Sequence, residues 1–454
     1  MKLPTQAIPI WPRVEAELRR ADTGAKLEPI RVVIPGSRVM AIGASDGQQW
    51  MVDLPVGAAI KAPATLNPAT GEVIAKHAHT AWYAEQLRHA YAQRDRNTEI
   101  IPKVVVRKTC REIVIVNCID HLYGHCLLKL LNCDYHHRRD PQTGICVLIQ
   151  PQMRHLVPDY VAEIWEVPVG LSDGVGWFDS IDRWIFQRLG HYDSASVSRA
   201  YSHLSKAHYD INRFVRGRIT PTAELHERSP IIHFSCRGDR CWGTDPTMQQ
   251  KRLHKLYFQL RRRYQDIGFV ISGFGDPVQF PSDDSWHSGW IDLRTNRLDS
   301  TTEDAWLSTM AAADVVVGVH GSNMLLPTAF APSAVIMLPL EKYDGIGLDV
   351  LMPTTELEPR EEMLNYAFVY GDDHLLDVTP KTIARMIANK LGYSRINMEW
   401  FRFGPDFNDD TRLQQLLVDS EKVGAVHRIQ RNNVSGRVKD SLHRLCLRLA
   451  ATFE

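Results

Sequence analysis

The chain carries no excess of either charge: 53 Lys and Arg stand against 53 Asp and Glu. Without a net field, general electrostatic binding to nucleic acid is excluded, and any basic site must be local. Cysteine is sparse, with eight residues at 110, 118, 126, 133, 146, 236, 241 and 446 and no Cys-x-x-Cys among them. That spacing excludes a zinc ribbon and a disulfide framework, and it favours reduced thiols in a cytoplasmic protein. No apolar run approaches the ~20 residues of a membrane span, and Met1-Lys-Leu-Pro-Thr-Gln opens without the apolar stretch of a signal peptide. The expectation is a soluble, cytoplasmic chain. Gly273-Phe-Gly275 lacks the third glycine of a nicotinamide fingerprint, and no Gly-x4-Gly-Lys phosphate loop is present. Asp-x-Asp is absent too, which argues against a diphosphate clamped through a metal.

What is there is ordinary globular material of 454 residues, 44% hydrophobic and 23% charged. That length calls for two domains of roughly 200 residues each. Residues 1–105 hold short alternating runs, such as Arg31-Val-Val-Ile and Gln49-Trp-Met-Val-Asp, that predict a β-rich N-terminal elaboration. From Glu112 the pattern becomes β-α-β-α: strand 113–116, helix 122–131, strand 146–149, helix 157–167. Residues 184–228, rich in Arg, His and Tyr, read as a linker with a helix. A second alternating unit follows, with strands at 231–235, 269–272, 315–317 and 334–338 and helices at 246–264, 302–312 and 325–330. Such alternation implies parallel sheets with crossover helices. The expected domains are thus 1–105, 106–225 and 226–391, with a helical tail over 392–454. In the tail, Val438, Leu442, Leu445 and Leu449 share one face, expected to pack across the domains or to touch a membrane peripherally.

Three constellations carry chemistry. The first is Gly318-Val-His320-Gly321-Ser322-Asn323, after the wholly apolar run Val315 to Val317. Apolar residues without alternation suit a strand covered on both faces. Glycines at its carboxyl end free backbone N–H groups at the start of a helix, where a phosphate is stabilised, and Ser322 and Asn323 are of the type that caps a helix. The second is Ser235-Cys-Arg237-Gly-Asp-Arg240, whose two guanidinium groups after a buried strand suit bidentate contact with phosphate oxygens. The third is Asp120-His121-Leu-Tyr-Gly-His125 at the entry to a helix, where imidazole is suited to proton transfer near neutral pH. His121 and His125 have metal spacing, but the glutamate of His-Glu-x-x-His is missing, so no metal is expected. Glu341, just beyond Leu338-Pro339, is in reach of a ribose hydroxyl or simply exposed.

These residues resemble glycosyltransferase family 61, the group that includes plant wall xylosyl- and arabinosyltransferases. The likeness covers about residues 110–345 and rests on Glu303-Asp-Ala-Trp through Val317-Gly-Val-His320-Gly-Ser to Val335-Ile-Met-Leu-Pro339, on Ser235-Cys-Arg237-Gly-Asp-Arg240, and on Tyr123-Gly-His125-Cys-Leu-Leu. Cys126 and Lys129 stand where the family has Trp and often Glu. The resemblance implies a GT-B-like α/β fold of two Rossmann-like domains facing a cleft, with the acceptor half first and the nucleotide-sugar half second. It implies transfer of a sugar, with inversion and without a metal or other cofactor, to a glycan, glycolipid or polysaccharide-precursor hydroxyl. Arg237 and Arg240 would hold the diphosphate with Gly318, His320, Gly321, Ser322 and Asn323, and Glu341 would meet the ribose. His125 would be the base, with Asp120 and His121 behind it. A non-catalytic nucleotide-sugar sensor or scaffold and a nucleotide-sugar epimerase are the alternative expectations.

Overall fold

The computed structural model describes residues 7–200, 215, 219–220, 222–237, 240–280, 285–297, 299–345, 350 and 366–402. Asp239, Asp283, Asp284 and the 438–449 face of the tail lie outside them.

In chain order the first half comprises β1 (Ala7–Trp11), β2 (Leu18–Arg19), β3 (Lys26–Val33), β4 (Met40–Ser45), β5 (Gln48–Asp53), β6 (Ala64–Leu66), β7 (Val73–Ala75) and α1 (Ala81–Ala92). It continues with β8 (Lys103–Val106), β9 (Glu112–Asn117), α2 (Tyr123–Leu130), α3 (Asn132–Arg139), β10 (Gly144–Ile149), β11 (Glu163–Glu166), α4 (Asp179–Leu189) and β12 (Ser194–Ser198). Strands β2 to β7 form one antiparallel sheet in chain order, lined by α1. A second sheet has the order β1-β12-β9-β10-β11-β8, in which the four central strands run parallel and the two edges antiparallel. Two strands from the first 106 residues therefore border the first α/β lobe.

The second lobe comprises β13 (Ile231–Cys236), α5 (Pro246–Arg261), β14 (Gly268–Gly273), β15 (Trp290–Asp292), α6 (Ser300–Ala312), β16 (Val315–Val319), α7 (Leu325–Phe330), β17 (Ala334–Pro339), β18 (Tyr366–Gly371) and α8 (Pro380–Arg402). Its sheet is parallel throughout, in the order β15-β14-β13-β16-β17-β18. Alternate side chains of each strand point to opposite faces. Ile232 and Phe234 pack with α5 and α8, and Val316 and Ile336 pack on the other face. Both faces are covered, which is why β16 and β17 are apolar without alternation. The core of the first lobe runs on into Trp306, Leu307 and Met310 of α6 and Leu325 and Leu326 of α7, so one apolar cluster joins the lobes.

Two expectations fail. Residues 157–167 are not a helix: a 3-10 turn over Pro151–Leu156 is followed by β11, which pairs parallel to β10. The spacing of Val157, Val161 and Ile164 imitates a helical period, but Pro158 removes a helical donor, and Ile164 and Trp165 sit as strand residues in the sheet. Residues 184–228 are not all linker, because β12 inserts between β1 and β9. Ser-Ala-Ser-Val-Ser has little apolar bulk and reads as a loop, yet small side chains suffice where neighbouring strands and helices cover it.

Two buried histidines make the fold sensitive to acid. The imidazole of His233 on β13 lies 2.7 Å from Ser272 Oγ, and burial drives its pKa down to about 3. That of His136 lies 2.8 Å from Ser198 Oγ, and burial lowers it to about 4. Below pH ~6.5 the unfolded chain takes up protons that these folded imidazoles refuse, so stability falls as pH drops through that range. The melting temperature of His233→Asn is expected to decline less steeply than that of the parent between about pH 7 and pH 5. Equal slopes would show that His233 is not held neutral.

Candidate functional site at the cleft between the lobes

Counted along the chain, the second sheet has the order 3-2-1-4-5-6, and the winding reverses between β13 and β16. In such sheets ligands bind outside the carboxyl ends of the strands at this switch point. The chain leaves β13 as Ser235-Cys236-Arg237 and β16 as His320-Gly321-Ser322-Asn323, and the two loops are tied together. Asn323 Nδ2 donates to Ser235 O at 3.3 Å and to Ser235 Oγ at 3.1 Å, while Ser235 Oγ donates to Asn323 O at 3.1 Å. His320 N–H is held by Met337 O on β17 at 2.8 Å.

Gly321 is the pivot. Its φ of +139° with ψ of 171° belongs to a backbone region reserved for glycine. A β-carbon there would stand 2.4 Å from Arg237 Nη1 and 3.3 Å from Arg240 Nη1. Both guanidinium groups therefore lie over the loop backbone, and Arg240 also reaches His320 Nδ1 and O, each at 3.4 Å. Gly318 is small for another reason, since its β-carbon would meet Met324 Sδ at 2.3 Å. The 3-10 turn Ser322–Met324 leads into α7, and neither has a side-chain cap. Ser322 and Asn323 thus do not cap the helix as their type predicts: the cap positions are Gly321 and Met324, and the Asn323 side chain points its Nδ2 to Ser235. The N–H groups that begin such a turn have no acceptor within it. Two guanidinium groups and these donors are gathered at one loop, an arrangement suited to a diphosphate.

The opposite wall is the carboxyl end of β9. Asp120 is buried, and its carboxylate is divided between partners: Oδ2 lies 2.8 Å from Lys129 Nζ, and Oδ1 faces His121 Nδ1 at 3.2 Å and His125 Nδ1 at 3.5 Å. Burial raises its pKa, but the Lys129 charge and the two imidazole hydrogen bonds outweigh burial and hold it well below the usual carboxylate range. A carboxylate accepting from Nδ1–H leaves Nε2 free to take a proton. Cys126, which donates to Asp120 O at 3.6 Å, has its thiol pushed up to about 12 by burial, so it is no nucleophile.

Between the walls lies a cavity of about 540 Å³. The residues after β9, β10 and β11 contribute His121, Tyr123, Gln152 and Leu171, and those after β13, β14 and β15 contribute Arg237, Phe274, Asn296 and Arg297. Ser322 and Asn323 complete its rim. Its lining includes Glu303, whose partners no motif announced: the buried carboxylate on α6 is met by Tyr123 Oη and His155 Nε2 from the first lobe. No sequence signal identifies this node, because its members lie far apart in the chain.

Of the expected site residues, Arg237, Ser322, Asn323 and His121 line the cavity, while Gly321 and His320 on the glycine loop and Arg240 beside it lie next to Arg237 and are not among the lining residues. His125 shares Asp120 with His121 but is not among the lining residues. Glu341 is exposed in the turn Leu340–Gly345 after β17, 3.7 Å from Lys342. Among the described residues no group of His, Cys, Asp and Glu is arranged to hold a metal, and no helix is long and apolar enough to cross a membrane.

Two lobes that turn the carboxyl ends of their parallel strands toward one cleft are the GT-B fold. No protein-family model and no curated protein matches the sequence. Among solved structures the chain is similar to the E. coli ADP-heptose LPS heptosyltransferase II, at 14% identity over 63% of this chain and 99% of that one, with a TM-score of 0.37. It is similar to the E. coli heptosyltransferase WaaC with ADP at 12% identity, 61% and 99% coverage and a TM-score of 0.34. A family 9 glycosyl transferase from Veillonella parvula matches at 10% identity, 58% and 87% coverage and a TM-score of 0.34. These neighbours are glycosyltransferases; the strand orders and the cleft carry the fold assignment for this chain.

The lobes come together at Gly124 on α2, where a β-carbon would fall 1.9 Å from Ser322 Cβ and 2.9 Å from Leu325 Cδ1. Gly124→Ala is expected to cost about 1–3 kcal/mol, the usual range for overpacking. Adding Ser322→Gly is expected to recover most of it in chemical denaturation. Additive losses in the double variant would show that the two positions do not press on each other.

Proposed function

We propose that the protein is a glycosyltransferase that moves a sugar from a nucleotide-sugar donor to a hydroxyl of a glycan, glycolipid or polysaccharide precursor. The observation that carries this reading is Arg237, over Gly321 at the switch point with Arg240 beside it, sharing one cavity with His121, whose Nδ1 faces Asp120. The donor diphosphate rests on Arg237, Arg240 and the N–H groups of the glycine loop. His121 Nε2, oriented by Asp120, takes the proton of the acceptor hydroxyl as its oxygen attacks the anomeric carbon. The diphosphate departs on the opposite side, so the configuration inverts, and its growing charge meets the arginines and backbone donors in place of a metal. His125, the other imidazole on Asp120, stands behind His121. On the glycine loop and Ser235-Cys-Arg237, the chain is further proposed to lie near glycosyltransferase family 61, acting in the cytoplasm with peripheral membrane contact through its tail.

Arg240→Ala is expected to weaken nucleoside diphosphate binding by about 1.5–3 kcal/mol in calorimetry, the range for hydrogen bonds to charged groups. Unchanged affinity would return Arg240 to an ordinary surface role. With a panel of nucleotide sugars, turnover is expected in the parent and lost in His121→Ala, with nucleotide binding retained. Binding with no turnover in the parent would indicate a sensor or scaffold, and a donor isomerised without any acceptor would indicate an epimerase.

A further inference from the structure

We propose that Lys129 is a positioning residue: its buried ammonium fixes the Asp120 carboxylate for His121, and the N-terminal antiparallel unit is the wall that keeps it in place. The inference rests on the reading of His121 as the base.

Lys129 lies on α2 and is only 6% exposed. A lysine so placed must be paired, because an isolated ammonium would give up its proton on leaving water. Its Nζ donates to Asp120 Oδ2 at 2.8 Å and to Ile119 O at 2.9 Å, two acceptors that flank the bend leading from β9 into α2. The Asp120 backbone is fixed independently. Its N–H donates to Gln150 Oε1 at 3.2 Å, Gln150 Nε2 donates to Gly170 O at 2.7 Å, and Gly174 lies so near that a β-carbon there would stand 2.2 Å from Asp120 O. Rotation of the side chain is the freedom that remains. Oδ1 also accepts from Leu122 N–H at 3.2 Å, and Lys129, by occupying Oδ2, completes the restraint and keeps Oδ1 turned to the imidazole.

The antiparallel unit closes this pocket from behind. Gly57, with φ of +56°, passes along the lysine stem, where a β-carbon would lie 3.6 Å from Lys129 Cε, and its N–H is anchored to Arg199 O at 2.7 Å. Asn117 Nδ2 at the end of β9 donates to Gly36 O at 2.8 Å. Arg38, paired with buried Asp53 at 2.7 Å, stacks over Tyr83 at 3.7 Å. Burial raises the Tyr83 phenol.

The test is the tautomer of His121, read in the full-length protein by nitrogen-15 NMR and assigned with His121→Ala. The parent is expected to show the Nδ1–H form, Lys129→Met a mixture of the two forms, and Lys129→Arg the parental form. An unchanged tautomer in Lys129→Met would overturn the proposal even if its melting temperature falls. Where turnover is measurable, Lys129→Met is expected to lower kcat about tenfold or more, within the span of acid–base contributions, with the donor KM unchanged. Should Lys129→Met not fold, Asp120→Asn with Lys129→Met removes both charges. A match to Asp120→Asn alone in tautomer and kcat supports the proposal, and a further loss overturns it. The tautomer needs no donor, so a parent that keeps it yet turns over no nucleotide sugar would defeat the transferase reading and leave the positioning role standing.

Discussion

At Gly124 the backbone of α2 lies closer to Ser322 than any side chain would permit. This contact sets the geometry of the cleft. It brings the helix that carries His125, with His121 two residues ahead of its start, against the loop that carries Gly321, so the span from the Asp120 pair to the arginines is fixed by main chain, which cannot change rotamer. Around it, Leu325 and Leu326 pack into the core of the first lobe, and Glu303 reaches Tyr123 and His155. Apolar packing supplies the attraction between the lobes, and the missing β-carbon supplies the distance.

Charge is distributed by the same logic. Ions that leave water must be paired and hydrogen-bonded. Arg38 with Asp53, Arg294 with Asp292, and Arg188 with Glu163 and Tyr192 meet that requirement inside the lobes, as Lys129 does with Asp120. Arg240 differs: it is exposed at the glycine loop with His320 as its neighbour. The interior cations are committed to the fold, and Arg240 faces the solvent from which an anion would come.

How far the sequence discloses this depends on whether a signal is local. The glycine loop and the strand ahead of it are legible because a strand covered on both faces must be apolar throughout, and because its terminal turn needs Gly321. Arg237 and Arg240 are legible because they follow such a strand directly. Strand β11 is hidden, since Val157, Val161 and Ile164 carry a helical spacing by accident, and β12 is hidden because Ser-Ala-Ser-Val-Ser gains its burial from neighbours. The Glu303 node and the contact of Gly57 with Lys129 have no local trace. Each joins residues separated by long stretches of chain, and one sequence contains no term for that proximity.

The pairing of β1 with β12 bears on how the chain is made. Ala7 pairs with Ser198, so β1, made long before β12, waits for a strand near residue 200 before its edge is satisfied. Strands β2 to β7 pair only with chain neighbours and need no such delay. Local contacts form quickly, and distant ones must first close a long loop. The small antiparallel sheet can therefore assemble while β1 remains an open edge, exposed to pairing with another nascent chain. Synthesis past β12 ends that exposure, and translation speed between β1 and β12 becomes a determinant of yield.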